Sequence, residues 1–311
     1  MPLPGIEIDP PTISMNFIPN DSPFAGKEGK FLTSRHIRER LIRETLSDVA
    51  LVLEELTDTV GYKVSGRGEL HLSILIEKMR REGYEFQVTR PRVIFKESEQ
   101  GKLEPYEELT IDVDEQYSGK VIENLGKRKG LMIEMHQHNG MVKMLYRIPT
   151  RGLIGFRSEF MTETKGMGTM SYIFDGYDRY AGEMRNRNNG GLVVMEECIT
   201  VAYALFNLQE RGQLFLGPGE KVYGGQIIGE HSRENDIVIN PAKGKKLTNM
   251  RAAGSDDAVI LTPFRKMSLE DCISYINEDE LVEITPRSIR LRKTILDVTQ
   301  RKRAKIADAK A

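Results

Sequence analysis

The chain has 311 residues, 39% hydrophobic and 29% charged, with a net charge of −1; that length exceeds one ordinary core and leads us to expect two or three domains. Near-neutrality excludes a global pull toward nucleic acid and leaves any RNA contact to local basic patches. Cys198 and Cys272 have neither CxxC nor finger spacing, no apolar run is long enough to cross a bilayer, and Met1-Pro2-Leu3-Pro4 lacks a leader's basic and apolar regions, so a soluble, unexported protein of the reducing cytoplasm, with no membrane partner, is expected.

The first β run, residues 12–18, puts Ile13, Met15 and Phe17 on one face. Residues 19–30, with Pro, Gly, Asp and Ser, read as a mobile loop. Thr33 or Ser34 caps a helix that turns Ile37, Leu41 and Ile42 inward. Strands follow at 49–53 and 62–64. The stretch Ser65-Gly66-Arg67-Gly68-Glu69-Leu70-His71-Leu72 then makes a strand–turn–helix joint. Leu72, Leu75, Ile76 and Met79 repeat at helical spacing, Gly66 and Gly68 supply backbone freedom, and Glu69 suits the positive end of the helix dipole. His71 reads as a packed or dipole-side histidine. Strands at 84–88 and 93–95 complete a β-α-β-β-α-β order, the split βαβ of ferredoxin-like units.

Residues 103–180 repeat that order. A β run at 107–113 leads to a helix carrying Tyr117, Val121, Ile122 and Leu125. Strands at 131–135 and 141–148 flank His138-Asn139-Gly140, a hairpin signal. Thr150 caps a helix with Leu153, Phe156 and Phe160, and 169–174 returns as a strand. A linker at 182–191, containing Arg185-Asn186-Arg187-Asn188-Asn189-Gly190, marks the next boundary. Beyond it the pattern is mostly β, with turns at Gly217-Pro218-Gly219 and Gly224-Gly225. One helix starts at the capping box Ser268-Leu269-Glu270-Asp271, a strand spans 288–292, and a basic tail spans 301–305. The expected fold is α+β: two ferredoxin-like β-α-β-β-α-β domains, 1–97 and 98–185, followed by a mostly β C-terminal domain, 186–311.

Catalytic signatures are missing. There is no Gly-x-x-x-x-Gly-Lys-Ser/Thr, no dinucleotide fingerprint, no Gly-x-Ser-x-Gly and no His-Glu-x-x-His. His136 and His138 share a strand face, but no third ligand is evident, so an exposed pair is expected rather than a metal site. Glu107, Glu108, Asp112 and Asp114 read as an acidic solvated face. No catalytic residue, metal ligand or cofactor site is therefore assigned in this chain.

Three basic clusters remain. Lys127-Arg128-Lys129 ends a helix, where cations complement the dipole or reach for RNA. Lys243-Gly244-Lys245-Lys246, followed by Asn249 and Arg251, lies in a segment poor in apolar residues: either a solvated hairpin loop or a flexible loop following phosphates. In the strand 287–293, Ser288, Arg290 and Arg292 alternate with Ile289 and Leu291, either as a phosphate-facing ladder or as a half-exposed strand.

Residues 11–97 resemble domain III of elongation factor G-type GTPases, through the 65–81 motif and the exit Thr89-Arg90-Pro91-Arg92-Val93. Residues 103–180 resemble domain V of the same proteins, through Leu103-Glu104-Pro105, Tyr117-Ser118-Gly119-Lys120-Val121, Lys127-Arg128-Lys129-Gly130 and Gly166-Met167-Gly168-Thr169. Residues 191–293, with Ala204-Leu205-Phe206-Asn207-Leu208-Gln209-Glu210-Arg211-Gly212 and Gly244-Lys245-Lys246-Leu247-Thr248-Asn249-Met250-Arg251, resemble the C-terminal domain peculiar to the TypA/BipA family. The resemblance implies the C-terminal half of a translational GTPase acting in stress-related translation and large-subunit assembly. It also implies upstream GTPase and β-barrel domains, and GTP and Mg bound there. Partners implied are the ribosome, through large-subunit RNA and A-site tRNA, with Lys243, Lys245, Lys246, Asn249 and Arg251 approaching the tRNA acceptor end. Other readings fit unequally. A structural arm that positions the GTPase is compatible with all of this. An acylphosphatase-like enzyme lacks a recognisable Arg–Asn phosphate turn, and the RNP1 string of an RNA-recognition fold is missing.

Overall fold

The computed structural model describes residues 9–99, 101–184, 187, 189–243 and 260–308. The first unit runs β1 (Ile13–Pro19), α1 (Ser34–Ser47), β2 (Val52–Glu55), β3 (Tyr62–Gly66), α2 (Glu69–Arg81), β4 (Phe86–Thr89) and β5 (Arg92–Val93). Its main strands lie in the order β4-β1-β3-β2, all antiparallel, so β3 is inserted between β1 and β2. Ile13, Met15 and Phe17 are buried under Ile37 and Leu41 of α1 and Leu72, Leu75, Ile76 and Met79 of α2. Thr33 caps α1 by accepting the His36 N–H. β2 begins later than the spacing suggested, because Asp48 turns the chain by accepting the N–H of Ala50 and leaves Val49 exposed.

The second unit runs β6 (Lys96–Ser98), β7 (Gly101–Asp114), α3 (Glu115–Lys127), β8 (Leu131–His138), β9 (Met141–Pro149), α4 (Thr150–Leu153), α5 (Phe156–Glu163) and β10 (Thr169–Arg179). Its sheet order, β10-β7-β9-β8, repeats that of the first unit, with β6 paired to β7. Asn139 and Gly140 both take positive φ, 51° and 77°, as the tight turn between β8 and β9 requires. The helix expected from Thr150 is broken in two: Gly155 takes φ +71°, and Thr150 donates to Glu107 at 3.0 Å instead of capping. Glu107 is therefore not on a solvated face. It is buried, while Asp114 caps α3 by accepting the Gln116 N–H.

The third segment runs β11 (Gly191–Val194), β12 (Cys198–Ile199), α6 (Ala202–Leu208), β13 (Gly212–Leu214), β14 (Lys221–Val222), β15 (Gln226–His231), β16 (Ile237–Ile239), α7 (Leu269–Tyr275), β17 (Glu280–Ile284), β18 (Ile289–Lys293) and α8 (Val298–Asp308). The capping box forms as the spacing predicts, Ser268 and Asp271 serving each other's backbone N–H. β17 pairs antiparallel with β4, so the sheet of the first unit continues into the third segment and reaches 11 strands. Val193, Ile227, Val282, Ile284 and Leu291 accordingly share one core with Phe17, Phe86 and Val88. The basic stretch after 300 is helical, within α8.

Two expectations about loops are corrected. Residues 19–30 are anchored: Glu85, fully buried, accepts from the N–H groups of Gly26 and Gly29 and from Asn20. Likewise Arg187, in the supposed linker, forks onto Glu280 at 2.9 and 3.0 Å and lies over the Tyr275 ring. Both segments supply polar side chains to buried partners, a feature that composition cannot distinguish from solvation.

Candidate nucleic-acid interface

The Lys127-Arg128-Lys129 cluster sits at the C-terminal end of α3 and divides by direction. Arg128 turns inward. Its guanidinium donates to the carbonyls of Gly152 and Ile154 at 2.8 and 3.0 Å and to Glu159 at 2.7 Å, 5.4 Å from the Phe156 ring. Lys127 is exposed and bridged to Glu123 at 2.5 Å. Lys129 is exposed and holds φ 63°, a left-handed conformation rare for a side-chain-bearing residue. The α3 end thus offers two outward ammonium groups, while its guanidinium braces the α4–α5 break.

A polar cavity of about 400 Å³ opens beside this end. It is lined from the first unit by Arg90, from the second by Lys120, Lys127, Arg128 and Glu159, and from the third segment by Ser274. Lys120 was missed at the sequence level, although it lies seven residues before Lys127, a spacing that places both on one helix face. Arg90 could be recognised only once the first unit was seen to pack here.

The outward-facing ladder expected on β18 is corrected. β18 lies between β15 and β17, within the sheet. Arg292, 1% exposed, donates to Asp21 at 2.5 Å and to the carbonyls of Lys293 and Thr294. Arg290 bridges Glu28 at 2.6 Å and Glu283 at 3.1 Å. Glu283, fully buried, also accepts from Asn20, Ser22 and Tyr223. These arginines hold the 19–30 segment onto the third segment, and their charges are spent internally.

Of the remaining predicted residues, Lys243 is exposed just after the turn that follows β16. Lys245, Lys246, Asn249 and Arg251 lie outside the described residues. Elsewhere, His71 Nε2 meets Asp48 at 2.5 Å. Gly66 does not need positive φ; a Cβ there would lie 3.0 Å from His71 Nδ1 and 3.1 Å from Leu72, so close packing selects it. His136 is 3.4 Å from Glu134 and His138 is beside Asn139, both exposed. No group of three or more potential metal ligands occurs among the described residues. Cys272 is buried and its thiol is pushed up to about 12 by that burial, which makes it unreactive. No described helix is long and apolar enough to cross a membrane.

A family model described as the Elongation factor G C-terminus matches residues 101–188, and one described as the TypA/BipA C-terminal domain matches residues 189–298. The chain is 56% identical over 304 residues to a Salmonella typhimurium protein named Large ribosomal subunit assembly factor BipA, and 55% identical to a protein of the same name in Escherichia coli K12. Each alignment covers 97% of this chain and 50% of that protein. A Haemophilus influenzae protein of that name is 53% identical, over 97% of this chain and 49% of its own length. The chain therefore spans about half the length of the curated relatives it matches. Among solved structures, a crystal structure of a Thermus thermophilus protein aligns with a TM-score of 0.37 and 14% identity, over 57% of this chain and 42% of that one, a likeness too slight to carry weight. Along residues 101–298 the chain thus carries, in order, a segment matching the elongation factor G C-terminus and a segment matching the TypA/BipA C-terminal domain, and it aligns with half of each TypA/BipA relative.

Proposed function

We propose that this chain is the non-catalytic ribosome- and RNA-binding half of a translational GTPase that acts in large-subunit assembly. The observation that carries the reading is its identity of 55–56%, over 97% of its length, to proteins named as large ribosomal subunit assembly factors. The GTPase and β-barrel domains, with GTP and Mg, belong upstream, and the protein works in the cytoplasm. Large-subunit RNA is met by Lys127 and Lys129 at the α3 end. The A-site tRNA is met by the segment containing Lys243, Lys245, Lys246, Asn249 and Arg251. The units 1–97, 98–185 and 186–311 act together as the gripping part.

Exposed lysines suit this role because each phosphate they neutralise releases counterions, which makes the association salt-sensitive. Co-sedimentation of the purified chain with large subunits tests it. Binding at low salt, weakened by Lys245→Glu with Lys246→Glu, is expected, with GTP turnover at background. Absence of co-sedimentation at any salt concentration refutes the reading. A second reading, a structural arm that sets the angle of the GTPase domain, is favoured by the internal use of Arg128, Arg290 and Arg292. It predicts normal co-sedimentation for the double lysine variant.

A further inference from the structure

A cleft of about 380 Å³ separates α2 of the first unit from the third segment. Its lining includes four cations, Arg80, Lys266, Arg287 and Arg290, and no carboxylate. Two of the four are already committed: Arg80 forks onto Glu77, and Arg290 bridges Glu28 and Glu283. Lys266 and Arg287 are exposed and form no ion pair among the described residues. The floor is of another kind, with half-buried Phe215, Met267 and Ile289. Gln226 also lines it; its Oε1 accepts the Tyr223 N–H at 3.2 Å, which fixes the amide and leaves Nε2 without a partner among the described residues.

We infer that this cleft binds one nucleotide unit, with its phosphate on Arg287 and Lys266 and its base on the Phe215–Met267–Ile289 floor. Two unpaired cations without an adjacent carboxylate select a phosphate, to which a guanidinium donates two parallel bonds. An aromatic ring and a thioether select a flat apolar body. The Gln226 amide supplies a fixed donor for a base-edge acceptor, and the volume is at the small end of ligand sites, sufficient for one nucleotide and not for an acyl chain. The unit could be a free mononucleotide or one residue of a single-stranded RNA. The inference goes beyond ribosome binding, and its test contains no ribosomes, so the two fail separately.

The test titrates the full chain with AMP, with a 5′-phosphorylated RNA tetranucleotide, with adenosine and with inorganic phosphate, following ¹³C-labelled methionine methyl signals by NMR. AMP or the tetranucleotide should shift the Met267 signal, and whichever binds more tightly identifies the source. Arg287→Glu should weaken that binding by about tenfold or more, and Lys266→Glu should add to the loss. Both side chains are exposed, and unchanged melting would show that the fold is kept; Arg287→Gln and Lys266→Gln replace any variant that melts early. The inference is overturned if neither nucleotide ligand moves Met267 or if both charge reversals leave affinity intact. It is also overturned if inorganic phosphate binds as tightly as AMP, since the floor would then contribute nothing.

Discussion

Glu69 Oε2 accepts the backbone N–H of Gly155 at 2.9 Å, tying the first turn of α2 to the break between α4 and α5. The other oxygen, Oε1, is buried without a partner. Gly155 takes φ +71°, and a Cβ there would come within 2.6 Å of Ser274 in the third segment. Ser158 of α5 in turn donates to Asp271 at 2.5 Å. All three parts of the chain meet within this one junction.

Burial raises the Glu69 carboxyl to about 7; the Gly155 bond and Arg128 oppose the rise, while Glu270 and Asp271 add to it. The folded protein therefore holds a proton that the unfolded chain releases near 4.5, and this contribution is complete below about 4.5 and lost as pH rises through 7. Glu69→Gln keeps an acceptor for Gly155 and removes the titration. Relative to the parent, the variant should gain stability between pH 5 and 8, by at most about 3 kcal/mol. Glu107, also raised to about 7 by burial, acts in the same direction in both proteins, so the difference isolates Glu69. Denaturant unfolding at several pH values measures it; a pH-independent difference would refute the assignment.

Gly155→Ala should loosen the same junction by a route independent of pH. The substitution combines an unfavourable left-handed backbone with a clash against Ser274, a cost of about 2 kcal/mol or more. Hydrogen exchange should show faster opening at α5 and α7 while the cores of the two larger sheets remain protected. Uniform protection would mean that the junction absorbs the methyl group.

Glu283 is the centre of the network that binds the 19–30 segment to the third segment. Glu283→Ala leaves Arg290 short of one carboxylate and strips an acceptor from Asn20, Ser22 and Tyr223. Removing one partner from a buried charged network costs about 3–5 kcal/mol. Since β4 and β17 share a sheet, the loss should appear as a lowered melting temperature of one joint transition. Two separated transitions would show that the first unit and the third segment unfold independently.

What could be read from the sequence was local. The α2 face from Leu72 to Met79, the Asn139-Gly140 turn and the Ser268–Asp271 capping box each depend on residues a few positions apart, and each forms as spacing predicts. What could not be read depends on distant partners. Alternation in β18 suggested a solvent-facing side, but the 19–30 segment lies over that side: Glu28 meets Arg290, and Asp21 arrives from 271 positions away to meet Arg292. The junction at Glu69 was hidden for the same reason: a glutamate at a helix start is explained locally by the dipole, and nothing nearby in sequence announces Gly155. Of the basic candidates, Lys127, exposed but bridged to Glu123, and exposed Lys129 point outward, whereas Arg128, Arg290 and Arg292 are turned inward.

Lys129 separates binding from folding most directly. Its φ of 63° at the end of α3 is a conformation glycine adopts without strain, so a lysine there lowers stability. Lys129→Gly should raise stability by about 0.5–1 kcal/mol, the steric relief being partly offset by the greater freedom of unfolded glycine. If the ammonium meets phosphate, the same change should weaken ribosome association and reduce the slope of log affinity against log salt by about one. Improved melting together with a shallower salt slope would mean that the chain tolerates strain to present this charge. Improved melting with an unchanged slope would remove Lys129 from the interface and leave Lys127 as the outward cation at the helix end.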